Sequence, residues 1–230
     1  MQGSGQSTMG IMGVTESLVQ YLRDRIIIGE LRGGQKLNEA HLSLSLGVSR
    51  PPLREAYRIL EHEHLVFNVP RKGTYVTEIS IEDLQEVYQA RQMIECCAID
   101  LLKVKNIRDL PQVASALDAG FKLSVPSGDD TAQYLIYLKT FADYHIKLVE
   151  SCGNGWLIDF YQAIASNLAR YQFLYFHSPG TRETSLKDHR QVLNHIEAGE
   201  HDRAKEYLSS HIKYTFESLQ RPMNWGKSGR

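Results

Sequence analysis

The chain has 230 residues, with 26 lysines and arginines against 27 aspartates and glutamates, and 42% of its residues are hydrophobic. This length allows one large domain or two small ones, each with a buried core, and the ordinary apolar fraction excludes a disordered chain. The formal charge of −1 argues against a protein that coats nucleic acid through net charge alone.

The sequence is typical of a cytoplasmic protein. No apolar run approaches the ~18 residues that span a bilayer, and residues 1–13 lack the basic start and apolar core of a signal peptide. The three cysteines, Cys96, Cys97 and Cys152, form no CxxC motif, which argues against a disulfide framework and a cysteine metal site. We therefore expect a cytoplasmic location, no membrane partner, and cysteines that serve as small buried hydrophobes.

The N-terminal part of the chain is predicted to start with an arm and two helices. Residues 1–13 are rich in glycine, serine and methionine without periodicity, and we expect a flexible arm. The first helix is predicted to begin at the N-cap Thr15 and to end near Gly29. A second, short helix follows the N-cap Asn38 and ends at Gly47.

A third helix and a hairpin complete this module. Ser49 is the predicted N-cap of the third helix, and the two prolines that follow Arg50 fit its first turn, where a missing N–H costs little. The segments LVFNVP and GTYVTEI then predict two short strands around a turn at residues 70–73. Residues 14–79 are therefore predicted to form three helices plus a β-hairpin.

Three arginines recur along one side of the third helix. Arg50, Arg54 and Arg58 are spaced by four residues, which places them within an arc of ~80°. The apolar residues of this helix occupy a different arc, so one face packs and the other presents guanidinium groups. A short helix, a tight turn and a second helix with exposed basic side chains are typical of a helix-turn-helix, whose second helix enters the major groove of DNA.

The tip of the hairpin carries further positive charge. Arg71 and Lys72 stand beside Gly73, and a basic hairpin tip can follow the sugar-phosphate backbone or enter a minor groove. Together with the arginine face, it favours a winged helix-turn-helix. The alternative is an ordinary solvated arginine face, bridged by Glu55 and Glu61.

After Ser80 the pattern predicts only helices. A Ser-x-x-Asp box opens the first long helix, and further helices are predicted over about residues 110–125, 130–151, 155–176, 183–198 and 201–219. Glycine- and proline-containing segments mark the breaks, including 126–128 and 178–180. The fold class is therefore mainly α: a winged helix-turn-helix at 14–79, an all-α helical bundle at 80–222, and a tail at 223–230.

Three histidines lie on the apolar stripes of three different C-terminal helices. His145, His189 and His211 each have apolar neighbours three or four residues away. Imidazoles that converge from different helices can hold a divalent metal with open positions for water or a carboxylate. The alternative for each one is a hydrogen-bonded core histidine.

Three further residues are candidates for binding an effector. Arg91 lies on the inward side of the first long helix, where paired guanidinium donors could clamp a carboxylate. Its alternative role is a buried ion pair, either with Glu95 one turn later or with a residue of another helix. Arg170 and Asn154 are further candidates, although the Gly-Asn-Gly setting of Asn154 also suits a turn between helices.

The segment NEAHLSLSLGVSRPPLREAYRILEHEHLVFNVPRKGTYV resembles the winged helix-turn-helix signature of the GntR family of bacterial transcription regulators. The helical remainder resembles the FCD effector domain of its FadR-like branch, so the resemblance covers about residues 15–220. It implies that Ser49, Arg50 and Arg54 contact operator DNA and that the wing tip at 71–73 lies near the minor groove. Family members often carry another arginine at the position of Ala40.

The FCD resemblance also implies a divalent metal ion, zinc or nickel, held by His145, His189 and His211. The family usually adds an aspartate one turn before the first histidine, and this chain has Phe141 there. Asp143 is a poor substitute because a spacing of two residues places it on another face of the helix.

These features predict a ligand-responsive, sequence-specific transcription regulator rather than an enzyme. We expect a homodimer that binds double-stranded operator DNA, senses a small carboxylate in its helical domain, and acts as a repressor. One alternative is a metal-dependent enzyme that uses the three histidines; another is a helical scaffold whose winged module binds protein.

The near-neutral charge of the predicted DNA-binding module affects how strongly it can bind DNA without regard to sequence. Residues 14–80 contain nine lysines and arginines against eight aspartates and glutamates, so even the predicted DNA-binding module is almost neutral. We therefore expect weak non-specific binding, and reliance on a paired operator for affinity.

Overall fold

The computed structural model describes residues 13–124, 126, 130–175 and 181–225. Its N-terminal module has the predicted order of three helices and two strands: α1 (Val14–Ile27), α2 (Glu39–Leu46), α3 (Arg50–His62), β1 (Val66–Val69) and β2 (Gly73–Val76). The strands are antiparallel, in a register that pairs Val66 with Val76 and Val69 with Gly73. The predicted winged helix-turn-helix architecture is confirmed.

The core of this module holds α3 in place beneath its exposed arginines. Leu22 of α1, Leu53 and Leu60 of α3 and Val76 of β2 are fully buried in one apolar cluster. Burying a leucine side chain contributes ~1.5–3 kcal/mol, so this contact fixes which face of α3 points outward. That face carries Arg50, Arg54 and Arg58.

The helix starts differ from the sequence predictions in two places. Helix α1 begins at Val14 after the N-cap Gly13, not after Thr15, because the Glu16 carboxylate accepts the N–H of Gly13 at 3.0 Å. Ser49 does occupy the N-cap position of α3, but its hydroxyl makes no capping hydrogen bond. Asn38 caps α2 as predicted, accepting the N–H of His41 at 3.1 Å.

The second domain consists of long helices in the described residues. They are α4 (Ile81–Val104), α5 (Pro111–Lys122), α6 (Thr131–Ser151), α7 (Gly155–Tyr175), α8 (Thr181–Glu197) and α9 (His201–Trp225). Ser80 caps α4 by accepting the N–H of Asp83 at 2.9 Å, as the Ser-x-x-Asp box predicts. Residues 1–12 and 226–230, and most of the predicted breaks at 126–128 and 178–180, lie outside the described residues.

Helix α4 is central to this domain and packs against α6, α7 and α9. Its residues Leu84, Ile99 and Leu102 are fully buried with Leu148 of α6 and Leu208 of α9. Among the described residues, none of the helices combines the length and the hydropathy of a membrane span.

The prediction that all three cysteines are buried is wrong. Cys152 is buried, Cys96 is half-buried beside the Ser209 hydroxyl, and Cys97 is exposed. Cys97 follows Cys96 directly on α4, and a helix turns by ~100° per residue, so the two side chains cannot share one face.

Candidate functional site

A surface cleft of ≈ 730 Å³ lies between α2, α3 and the β1–β2 hairpin. It is lined by six of the predicted DNA-binding residues: Arg50, Arg54, Arg58, Arg71, Lys72 and Gly73. Lys36, which the sequence analysis did not single out, lines the same cleft. Ser49 is exposed at the start of α3. The structure therefore brings the basic helix face and the basic hairpin tip to one concave surface.

The arginines of α3 project into solvent. The side chains of Arg50, Arg54 and Arg58 are 62%, 65% and 78% exposed. Arg58 is paired with Glu55 at 3.2 Å, as the solvated-face alternative expects, but Glu61 instead accepts the N–H of Asn68. Arg54 is paired with Glu39 of α2 at 3.1 Å, so of the two glutamates that this alternative names only Glu55 bridges the arginine face.

The hairpin tip is a tight turn. Arg71 and Gly73 have positive φ angles of 62° and 108°, and the N–H of Lys72 bonds to the carbonyl of Val69 at 2.9 Å. The side chains of Arg71 and Lys72 are exposed at this turn and line the cleft together with the arginines of α3. A duplex seated on α3 could be contacted by both walls of the cleft.

A second group of polar side chains is buried inside the helical domain. His145 of α6, His189 of α8, His211 of α9 and Arg91 of α4 line a small internal cavity of ≈ 10 Å³ together with Gln172 of α7. The three imidazoles are at most 5% exposed and Arg91 is 1% exposed. The structure thus brings the three predicted histidines and the predicted arginine together.

Two of the imidazoles face each other through ring nitrogens. Nε2 of His189 lies 3.2 Å from Nε2 of His211, and Nδ1 of His211 is paired with Oδ2 of Asp188 at 2.9 Å. The hydroxyl of Tyr144, whose ring stacks on His189, donates to the His189 carbonyl at 3.2 Å. These contacts fix the orientation of both rings.

The third imidazole belongs to a network around Glu95, which is fully buried. Its carboxylate bonds to Nε of Arg91 at 2.8 Å, to Nδ1 of His145 at 2.9 Å and to the hydroxyl of Tyr161 at 3.1 Å. The alternative role of Arg91, an ion pair with Glu95, is therefore present, and Arg91 lines the cavity as well.

The guanidinium of Arg91 also contacts His145. Its Nη2 lies 2.8 Å from Nε2 and 3.3 Å from Nδ1 of that ring. A donor aligned with the Nε2 lone pair would be much farther from Nδ1, so Nη2 lies over the ring rather than along the lone pair. Arg91 therefore does not donate a hydrogen bond to the Nε2 lone pair of His145.

Burial sets the protonation states of this cluster. Removal from water lowers the pKa of His145 to about 4, although the neighbouring Glu95 attracts a proton to it. Burial likewise holds the pKa of His189 well below its usual value. For Glu95, burial opposes ionisation, but the hydrogen bond from His145 together with the charge and hydrogen bond of Arg91 outweigh it and lower the pKa to about 2. The cluster therefore contains neutral His145 and His189, an ionised Glu95 and a cationic Arg91 near neutral pH.

The imidazole groups of the three histidines are suitable ligands for a divalent metal. The positions of two of them, His189 and His211, also suit a shared ion. Metal ligation needs neutral imidazoles, and carboxylates on Nδ1, as at His145 and His211, are the usual outer partners of histidine ligands. The 3.2 Å between the Nε2 atoms of His189 and His211 suits two ligands of one ion with metal–nitrogen distances of ~2.1 Å. However, no group of three or more His, Cys, Asp or Glu side chains in the described ranges is positioned to hold one ion together.

The structure places the other two effector candidates elsewhere, so those predictions are corrected. Arg170 does not line the cavity; its Nη2 donates to the carbonyl of Thr77 in the N-terminal module at 3.0 Å. The side-chain oxygen of Asn154 accepts the N–H groups of Trp156 and Leu157 at the start of α7. Arg170 thus joins the two domains, and Asn154 is a helix-capping turn residue.

Helix α7 contacts both the cavity and the N-terminal module. Gln172 lines the cavity, whereas Asn167 donates to the carbonyl of Glu63 at 2.6 Å and Ser166 donates to its carboxylate at 3.0 Å. The Glu63 carboxylate is also paired with Arg23 of α1. No sequence pattern points to these α7 residues, because their partners lie about a hundred residues away along the chain.

Two family models match most of the chain. The model of the gntR family of bacterial regulatory proteins matches residues 14–76, and the FCD domain model matches residues 86–214. The chain is a GntR-family transcriptional regulator with a C-terminal FCD domain. The matched ranges correspond to the winged module and to most of the helical domain.

Related proteins are similar over nearly their whole length. The uncharacterized HTH-type transcriptional regulator YdhC of Bacillus subtilis is 26% identical over 207 residues, covering 90% of this chain and 91% of YdhC. The HTH-type transcriptional repressor GlaR of Escherichia coli is 24% identical over 210 residues, covering 89% and 94%. The fold matches that of a GntR protein from Rhodococcus sp. RHA1 with a TM-score of 0.71 at 22% identity, covering 90% of this chain and 97% of that one.

The family assignment also decides against the enzyme alternative. The matched families and relatives are transcriptional regulators, so this GntR-family regulator is not an enzyme. GntR-family regulators bind operator DNA and bind effectors through the FCD domain. The basic cleft and the internal cavity are the corresponding candidate sites here.

Proposed function

We propose that this GntR-family regulator is a cytoplasmic repressor that binds operator DNA as a homodimer and releases it when a small carboxylate binds in the helical domain. The observation that carries the proposal is the position of α7, which lines the internal cavity through Gln172 and holds the DNA-binding module through Asn167, Ser166 and Arg170. The relative GlaR is named a repressor, which supports this direction of control.

The DNA-binding half of the proposal uses the cleft between α3 and the hairpin. Helix α3 would enter the major groove with Arg50 and Arg54 at the base edges, and the wing residues Arg71 and Lys72 would contact the adjacent backbone or minor groove. Two copies related by a twofold axis would read a pseudo-palindrome.

The effector half depends on Arg91. Its guanidinium is the cationic group at the cavity, and a planar carboxylate is the anion that it binds best. A cavity of ≈ 10 Å³ holds about one water molecule, so a carboxylate must widen it. Widening displaces Gln172 and hence α7, whose other contacts hold Glu63 and Thr77 of the DNA-binding module.

We expect a carboxylate effector to stabilise the protein and to release DNA. In a thermal-shift screen of small mono-, di- and tricarboxylates, a ligand at 100 times its Kd adds ~2.7 kcal/mol to the free energy of unfolding. The same acid should weaken binding to a duplex that the full-length protein has selected from a random pool, by the ~5–150-fold typical of allosteric coupling. The absence of both effects across the panel would contradict the proposal.

Asn167→Ala tests whether α7 transmits carboxylate binding in the cavity to the DNA-binding module. Asn167 lies on α7 but does not line the cavity, and its amide donates to the Glu63 carbonyl. The variant should keep the thermal shift produced by the acid and lose much of the release of DNA. Equal DNA release in the variant and the unaltered protein would exclude this route of coupling.

The proposal includes a divalent metal, zinc or nickel, held by His145, His189 and His211. Such an ion supplies a Lewis-acidic positive charge that attracts a carboxylate oxygen. The neutral imidazoles of His145 and His189 and the carboxylates on Nδ1 of His145 and His211 support it.

Metal analysis of protein purified without chelators tests this part. About one equivalent of zinc or nickel per chain is expected, and His189→Ala with His211→Ala should abolish it. A metal content below about a tenth of an equivalent, combined with an unchanged effector response in the histidine variant, would contradict the metal proposal.

A further inference from the structure

The DNA-binding cleft contains one acidic side chain that pairs with its arginines. Glu39, the first residue of α2, lines the cleft, and both of its carboxylate oxygens lie 3.1 Å from Nε of Arg54. One of these oxygens is also 4.0 Å from Nε of Arg50. The Glu39 carboxylate therefore lies between two arginines that are predicted to contact DNA.

A carboxylate at this point has an electrostatic cost for DNA binding. It repels phosphate groups and partly neutralises Arg50 and Arg54, both of which would otherwise attract any duplex. A negative charge does suit the first turn of a helix, but Asn38 already caps α2, and the Glu39 carboxylate bonds to Arg54 of α3 rather than to the N–H groups of its own helix. The contact with α3 therefore calls for a separate explanation.

The geometry of the pair orients the guanidinium of Arg54. Glu39 accepts only from Nε, and neither Nη group of Arg54 has a hydrogen-bond partner in the part of the chain that the structure describes. A guanidinium is planar, so fixing Nε limits the directions in which the two Nη groups can point. Paired N–H donors in a fixed plane are what a guanine edge in the major groove requires.

We propose that Glu39 is a positioning residue that determines sequence specificity. It holds the Arg54 guanidinium for a base edge and lowers the attraction of Arg50 and Arg54 for phosphates. Specific binding then gains from the fixed orientation, whereas non-specific binding loses charge. The inference rests on the proposed use of the cleft for DNA.

Glu39→Gln tests the proposal because it removes the charge and keeps the shape of the side chain. The probes are a duplex selected from a random pool by the unaltered full-length protein and a scrambled duplex of the same composition. The variant should bind the scrambled duplex more tightly, and the ratio of the two affinities should fall by about tenfold. The thermal unfolding midpoint of the variant should not change. If the contact between Glu39 and Arg54 were only structural, its loss would lower the unfolding midpoint and leave the affinity ratio unchanged.

Glu55→Gln is the matched control. Glu55 lies on α3 and pairs with Arg58 at 3.2 Å, so the control removes the same charge from the recognition helix without touching Arg54. It should raise binding to both duplexes together and leave their ratio within about twofold. Glu39→Asp, which keeps the charge but shortens its reach, should lie between Glu39→Gln and the unaltered protein.

An affinity ratio unchanged in Glu39→Gln would overturn this inference. A second variant, Arg54→Ala, shows whether the cleft is nevertheless the DNA-binding surface. If Arg54→Ala lowers the ratio and Glu39→Gln does not, only the role of Glu39 is wrong. If neither variant changes binding to either duplex, the cleft is not the DNA-binding surface, and the proposed function fails with the inference.

Discussion

Replacing Glu95 with glutamine is expected to lower the free energy of unfolding by about 3–5 kcal/mol. The Glu95 carboxylate is fully buried and balances the charge of Arg91, which is 1% exposed. It also accepts hydrogen bonds from Nδ1 of His145 and from the hydroxyl of Tyr161. A neutral amide leaves the guanidinium without a counter-charge and turns an NH₂ group toward hydrogen-bond donors, and both effects destabilise the fold.

Urea unfolding of the full-length protein measures this loss. The matched control is Glu86→Gln, an exposed carboxylate on the same helix, which should stay within about 0.5 kcal/mol of the unaltered protein. Arg91→Met combined with Glu95→Leu removes both charges and should recover part of the loss. A change below about 1 kcal/mol for Glu95→Gln would mean that the network carries no buried charge pair of this kind.

The fold could be predicted closely because its signals are local. The apolar periodicity of α4, the Ser-x-x-Asp box at Ser80 and the alternation of the two strands each depend on residues a few positions apart. The predicted start of a helix is wrong where two neighbouring residues can each cap it. At the start of α1, Glu16 accepts the N–H of Gly13, so the helix begins before Thr15.

The candidate sites could be predicted only in part. The arginine face of α3 and the three inward histidines follow from helical spacing, and the structure brings each set together. Arg170 was misplaced because a buried arginine on an amphipathic helix can face either the cavity or the neighbouring domain, and spacing does not distinguish the two. The contacts of Glu39 with Arg54 and of Asn167 with Glu63 join separate elements, so they require the tertiary structure.

The loss of Arg50 and Arg54 should have the largest effect on DNA binding. Each guanidinium is exposed in the cleft and can make base or phosphate contacts worth ~1–3 kcal/mol, and a homodimer contains two copies of each. Arg50→Ala with Arg54→Ala should therefore weaken binding to the selected duplex on the order of a thousandfold or more. Neither side chain belongs to the apolar core of the module, so folding and dimerisation should be retained.

The affinity of this double variant for the selected duplex, with the oligomeric state recorded in parallel, decides whether α3 is the recognition helix. Arg108→Ala with Arg203→Ala removes the same two charges from exposed positions outside the cleft and serves as the control. We expect a loss of about a thousandfold for the cleft variant, a small loss for the control, and dimers in both. Unchanged affinity in the Arg50 and Arg54 variant would contradict the assignment of α3 as the recognition helix.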